Sequence, residues 1–349
     1  MNLKSLTDTY KRYRTLQTDK ISALPIVILM PHSACNCRCV MCDIWKDNKN
    51  GKQLTEKDVE GLLGSLRQFG TKQVLMSGGE ALLNANFFRL CELLQKEHIH
   101  ITLLSTGLLL RKHTEQLLQL VNDVIISLDG DETTHDEIRN VSGAYSKLKD
   151  GVQHIKALEP GYKITARTVI HKLNYKVWPQ IIDAAKEMGL DQVSFLPADV
   201  SSEAFNRQTP WDAPRQGEIM PGKDELPGLR EITEGIISQY EAEFSSGFIA
   251  ESPDKLRKIH TYYGAMHGLN PFPFKKCNAP WVSTVIEADG TVRPCFFHRS
   301  MGNIRNNSLS EILNSTEAIG FRKGLDMKKD PTCVKCVCYL NLSPATNPW

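Results

Sequence analysis

Pro25-Ile26-Val27-Ile28-Leu29-Met30 runs within a few residues into Cys35-Asn36-Cys37-Arg38-Cys39-Val40-Met41-Cys42, and this join of an apolar run to a thiol-rich loop decides the fold. A short run rich in Ile and Val reads as a buried strand. The loop at its C-terminal end sets Cys35, Cys39 and Cys42 at C-x3-C-x2-C spacing. Three soft thiolates in one short loop match three corners of a four-iron, four-sulfur (4Fe-4S) cube and leave the fourth iron open to a small molecule. An open iron implies chemistry as well as electron storage.

Working outward, strand and helix patterns alternate six times, with strands expected at 26–30, 73–76, 101–104, 124–128, 164–169 and 192–196. Short apolar runs separated by helices imply a parallel sheet covered on its outer face. Thr55-Glu56-Lys57-Asp58 reads as a capping box with Asp in place of the usual Glu, followed by Val59, Leu62, Leu63 and Leu66 at helical spacing. Phe87, Leu90, Cys91 and Leu94 repeat that stripe, which makes Cys91 a core residue.

The chain has 349 residues, room for one large α/β domain and a smaller appendage. A formal charge of +2 with no Lys/Arg cluster gives no basis for nucleic-acid binding. No apolar run is long enough to predict a membrane span, and Met1-Asn2-Leu3-Lys4 lacks a signal-peptide layout. Ten cysteines in an unexported protein point to metal or redox sites, so the expected location is a reducing cytoplasm.

The triad, with the turns that follow it, resembles the signature of the radical S-adenosylmethionine (SAM) superfamily. Ser77-Gly78-Gly79-Glu80 closes the second strand, and the resemblance implies that Gly78, Gly79 and Glu80 hold the SAM amino group. Ser105-Thr106-Gly107 and Ser127-Leu128-Asp129-Gly130 end two further strands, which places Ser105 and Ser127 at the SAM ribose. In His135-Asp136-Glu137-Ile138-Arg139 the resemblance makes Arg139 the clamp on the SAM carboxylate, because a guanidinium matches a carboxylate bidentately. The family usually carries an aromatic residue before the last cysteine; here Met41 takes the adenine contact, a thioether being able to pack on a ring. The implied fold is a partial (β/α)6 TIM-like barrel of the radical SAM type, with its site at the strand C-terminal ends.

A second cysteine set, Cys277, Cys295, Cys333, Cys336 and Cys338, occupies the tail. The alternating run 282–288, the Asp289-Gly290 turn and Thr291-Val292-Arg293-Pro294 read as a hairpin with Cys277 and Cys295 near its open ends. Cys333 and Cys336 follow a helical stretch and complete a four-thiolate set. This tail resembles the SPASM and shorter twitch extensions of the superfamily but lacks the later cysteines for two auxiliary clusters. It therefore implies a small C-terminal hairpin-plus-helix domain holding one auxiliary 4Fe-4S cluster on Cys277, Cys295, Cys333 and Cys336, with Cys338 spare. Cys37 is expected to point away from the loop. The organisation is an N-terminal helical lead-in over 1–23, a core over 24–200, a loop and helical segment over 201–270 expected to set substrate specificity, and the cluster domain over 271–349.

Structural zinc is the rival reading of both sets. Zinc favours paired C-x2-C knuckles, which the x3 gap of the first set opposes, while two cysteine pairs around a hairpin leave it open for the second. His171, Asp199, Glu203 and His298 are candidate polar contacts, and none is named as acid or base. The expected activity is reductive cleavage of SAM to a 5′-deoxyadenosyl radical that abstracts a substrate hydrogen. A flavodoxin- or ferredoxin-type protein is the expected electron donor, and the auxiliary cluster an electron relay. Peptide modifiers often carry a leader-binding domain ahead of the barrel; only about two dozen residues precede the first strand, which tilts the expectation toward a small biosynthetic intermediate, with peptide maturation as the alternative. A non-catalytic iron-sulfur carrier or metal-stabilised interaction protein is the alternative from another class.

Overall fold

The computed structural model describes residues 3–207 and 209–348. All six expected strands form: β1 (Ile26–His32), β2 (Gln73–Gly78), β3 (His100–Ser105), β4 (Asp123–Ser127), β5 (Lys163–Ile170) and β6 (Gln192–Pro197). They pair in parallel in chain order, with registers such as Ile26 to Gln73 and Gln73 to His100. Helix α1 (Leu3–Thr18) packs with the C-terminal segment, its Leu16 against Ile26, Ile28 and Trp281, while the helices covering the opposite face include α2 (Glu56–Phe69), α3 (Phe87–Lys96), α4 (Thr114–Leu120), α5 (Glu132–Arg139), α6 (Ala144–Leu158) and α7 (Trp178–Glu187). The sheet curves as a partial barrel. At β6 its edge is capped by the segment around Ile249, Val193 donating to the Phe248 carbonyl at 2.7 Å.

The capping box at α2 is as read: Thr55 accepts from the Asp58 N–H while Asp58 accepts from that of Thr55. The α2 and α3 stripes pack on Val27, Leu29, Val74 and Met76. Cys91 is fully buried among them. Fully burying each such side chain is worth about 1.5–3 kcal/mol, and β1 is buried almost continuously along its first four residues. On the other face, Ile26, Ile28 and Leu75 meet Trp281, Val285 and Leu342 from the C-terminal segment.

The tail hairpin forms as β7 (Ser283–Ile286) and β8 (Thr291–Arg293), with a short β9 (Gly302–Asn303). It does not stand apart: β7 pairs in parallel with β1, Ile26 opposite Ser283, so one nine-stranded sheet runs β6-β5-β4-β3-β2-β1-β7-β8-β9. The consequence is spatial. The Asp289-Gly290 turn of the hairpin lies toward the C-terminal end of β1, where the triad loop begins, and Cys277 and Cys295 at its open ends lie toward the N-terminal end. No helix among the described residues is long and apolar enough to cross a membrane.

Candidate cluster and cofactor site

The loop after β1 is held from three sides. Asn48 brackets Cys35, accepting from its N–H at 3.0 Å and donating to its carbonyl at 2.9 Å. The C-terminus of α5 docks on it, Arg38 and Val40 donating to the Arg139 and Ile138 carbonyls at 2.9 and 3.0 Å. The β2 turn closes the third side: Glu80 N–H donates to the Ala34 carbonyl at 2.9 Å. A Cβ on Gly79 would lie 2.2 Å from that same oxygen, so only glycine lets the turn approach this closely. Gly78 adopts φ +112, a conformation open to glycine alone.

Glu80 is fully buried. It accepts from the Thr106 N–H at 2.8 Å, the Thr106 hydroxyl at 2.7 Å and the Ser105 hydroxyl at 3.0 Å. Burial pushes its carboxyl up, against the pull of those donors. Ser105 thus faces Glu80. Ser127 is half-buried at the end of β4, and Met41 is half-buried against the core, its carbonyl 3.4 Å from Arg207 Nη2.

Arg139 is buried and ion-paired with the fully buried Asp129, and its Nη1 lies 3.4 Å from Cys39 Sγ. Burial alone would lower the guanidinium's pKa, but Asp129 and Cys39 outweigh it and raise it. Its Nε is buried without a partner. That orphaned donor, beside the cluster loop, suits an incoming carboxylate. Hydrogen bonding from Cys37, and then Arg139, hold the Cys39 thiol down to about 6, whereas burial pushes Cys42 up to about 12. Cys37 corrects an expectation. The loop doubles back under α5, so the middle residue of the x3 gap is buried, its thiol hydrogen-bonded to Cys35 and Cys39 instead of pointing away.

The second set also assembles. The Cys277 and Cys338 thiols lie close enough to raise Cys295, and those of Cys295 and Cys277 to raise Cys333, although burial is the larger cause in both. Cys338, the spare, stands with them, its carbonyl accepting from Cys336 Sγ at 2.8 Å. His298 Nε2 lies 3.3 Å from Cys333 Sγ, and Asp330 accepts from the Cys333 N–H at 2.8 Å. A tetrahedral zinc with Zn–S bonds of about 2.3 Å holds its sulfurs about 3.8 Å apart. Among the described residues only His298, Asp330 and Cys333 bring three donor atoms within 4.8 Å of one another. Both thiol sets are therefore wider than a single ion's shell and suit a larger group.

Between them lies a cavity of about 450 Å³, lined by Ser77, Gly78 and Gly79 at one end and by Cys338 at the other, with Phe205 and Phe297 along it. Of the candidate polar contacts, Glu203 and His298 line this cavity. His171 is buried and held down to about 3 by burial. Asp199 is buried in an ion pair with Arg207 at 2.8 Å. That pair belongs to a clamp the sequence did not disclose: Arg207 stacks on Trp211 at 3.8 Å, and Trp211 Nε1 donates to Asp43 of the cluster loop at 2.8 Å. The stretch after β6, with Pro210, Trp211, Pro214 and Pro221, reads in sequence as loop chemistry. Asp129 and Thr106 were likewise overlooked as partners, although both sit inside the quoted strand-end motifs.

The profile of the Radical SAM superfamily matches residues 29–185, and that of SPASM, an iron-sulfur cluster-binding domain, matches 277–337. The chain is 27% identical over 174 residues to Fe-coproporphyrin III synthase of Methanosarcina barkeri, covering 49% of this chain and 43% of that protein. It is 24% identical over 334 residues to PqqA peptide cyclase of Bradyrhizobium diazoefficiens, covering 91% of this chain and 80% of that protein. Its fold is similar to Streptococcus suis SuiB bound to precursor peptide SuiA, with a TM-score of 0.66 at 16% identity over 96% of this chain and 75% of that one. The chain thus spans under half of the first relative's length.

Proposed function

This chain is a radical SAM superfamily enzyme with a SPASM extension, and on that premise we propose that it modifies a peptide. Its cofactors are SAM, a 4Fe-4S cluster and an auxiliary iron-sulfur cluster. We assign the first cluster to Cys35, Cys39 and Cys42 and the auxiliary one to Cys277, Cys295, Cys333 and Cys336. When bound, the first cluster and SAM supply a 5′-deoxyadenosyl radical that takes a hydrogen atom from the substrate.

The protein's own residues do the positioning. Gly78 and Gly79 bring backbone to the cavity wall, and Ser105 and Thr106 fix Glu80 behind it. Arg139 keeps Nε free for the SAM carboxylate because Asp129 and Cys39 engage its other nitrogens. Met41 and Ser127 are assigned to adenine and ribose. The Trp211 and Arg207 clamp steadies the loop from outside.

The reach of the likeness carries the peptide reading. The match to the peptide cyclase spans 91% of this chain, through the middle segment and the tail, against 49% for the coproporphyrin enzyme. The tilt toward a small intermediate rested on the short stretch before β1 and gives way to this. Ten cysteines, seven of them assigned here to clusters, support a reducing cytoplasm, and the proposed electron donor is a flavodoxin- or ferredoxin-type protein.

The test is anaerobic incubation of reconstituted enzyme, SAM and reductant with short peptides encoded beside its gene. Peptide-dependent 5′-deoxyadenosine and a peptide that has lost two hydrogens are expected, and Cys39→Ala should abolish both while keeping auxiliary iron. Turnover that ignores every peptide but responds to a small metabolite would falsify the peptide reading.

A further inference from the structure

A second, smaller pocket of about 100 Å³ opens on the far side of Cys338. It shares Arg167, Leu196, Val337 and Cys338 with the main cavity, so the two adjoin across these residues. Its wall carries four cations. Lys255 and Lys258 sit one turn apart on the helix Pro253–Met266, Lys275 precedes the first auxiliary cysteine, and Arg167 projects from β5.

Among the described residues none of the four has an ion-pair partner within 4.0 Å. Lys275 donates to the Cys336 carbonyl and Arg167 Nε to the Ser194 hydroxyl at 3.4 Å. Lys255 lies over the Tyr339 ring at 5.3 Å. The one acid in the pocket, Glu251, accepts from the Phe195 N–H at 3.0 Å; burial pushes its carboxyl up, while Lys255 and Arg167 pull it down. Four cations facing one half-buried carboxyl repel one another, and an arriving anion relieves that repulsion.

We propose that this pocket binds acidic side chains of the peptide substrate, anchoring it while the residue to be modified lies in the main cavity near Gly78 and Gly79. The proposal rests on the peptide reading and adds to it a substrate class: a peptide carrying Asp or Glu to one side of the modified residue. An acidic group there would hold the chain beside the auxiliary cysteines and set its register in the barrel.

The test is fluorescence anisotropy of fluorescein-labelled hexaglutamate, with hexaglutamine as the neutral control, titrated with holoenzyme and SAM at low and high salt. Hexaglutamate should bind and hexaglutamine should not, and binding should weaken with salt. Lys255→Ala, Lys258→Ala and Arg167→Ala should each weaken it about fivefold, the scale of an exposed ion pair. Lys149→Ala, on α6, should leave it unchanged, and cluster absorbance should report that each variant is intact. Equal binding of the two peptides, or an equal loss in Lys149→Ala and Lys258→Ala, overturns the proposal. The readout is equilibrium binding, so a failed titration does not touch peptide turnover, and failed turnover does not touch the titration.

Discussion

Replacing Gly79 with Ala adds one methyl group at the tightest contact in the site. The new Cβ would sit 2.2 Å from the Ala34 carbonyl oxygen and 3.2 Å from the Cys35 nitrogen. A relaxed C···O contact is about 3.3 Å, so turn and loop must separate by roughly 1 Å. Both neighbours are backbone, and neither yields easily: the Ala34 oxygen accepts from Glu80, and Cys35 is bracketed by Asn48. Overpacking costs about 1–3 kcal/mol, and loss of the Glu80 N–H bond adds about 1 kcal/mol. The larger effect is on chemistry, because a displacement of about 1 Å near reacting groups costs on the order of 100-fold in rate. Urea unfolding, iron per chain after anaerobic reconstitution and 5′-deoxyadenosine release are the three readouts. Gly64→Ala is the control: it lies within α2 with nothing within 4 Å of its Cβ, and it should stabilise by about 0.5–1 kcal/mol. If Gly79→Ala keeps full iron and a near-native rate, the close approach is not what shapes the site.

Asp129→Asn leaves Arg139 buried without its counter-charge and should cost about 3–5 kcal/mol in urea unfolding, while the double variant Asp129→Asn/Arg139→Met should recover most of it; a single variant within about 1 kcal/mol of the parent refutes the pairing. His135 and His171 are held down to about 3, chiefly by burial and then by Arg139. The unfolded chain protonates them below about 6.5 and the folded chain does not, so their contribution to stability falls with acid from about pH 6.5 to 3, each by roughly 1.4 kcal/mol one unit below 6.5. Urea midpoints at about pH 7.5 and 5.5 should therefore differ more in the parent than in His135→Gln/His171→Gln, and identical differences would refute it.

The strands were legible because each is a short apolar run set off by helical stretches, the pattern left by burial on both faces of a parallel sheet. The triad loop was legible because ligand spacing is local. Ser105 illustrates the limit: its position at a strand end is visible in sequence, but its hydroxyl's choice of Glu80 depends on two strands lying side by side. Cys37 illustrates another, since its inward turn comes from α5 packing on the loop almost a hundred residues later in the chain. The clamp from Asp199 to Trp211 is a third, its Asp43 partner lying 168 positions from Trp211.

By itself, the sequence determined that this chain builds alternating strands and helices, ends β1 in three thiolates at cluster spacing, and carries a second thiol set around a hairpin. Those are matters of period, turn chemistry and ligand spacing, all written within a few residues. Only the tertiary structure decided that β7 joins β1, and that a cavity running from Gly78 and Gly79 to Cys338 adjoins a pocket carrying four cations. Strand partners and charge neighbours are chosen by burial summed over the whole chain, and no local window contains that sum.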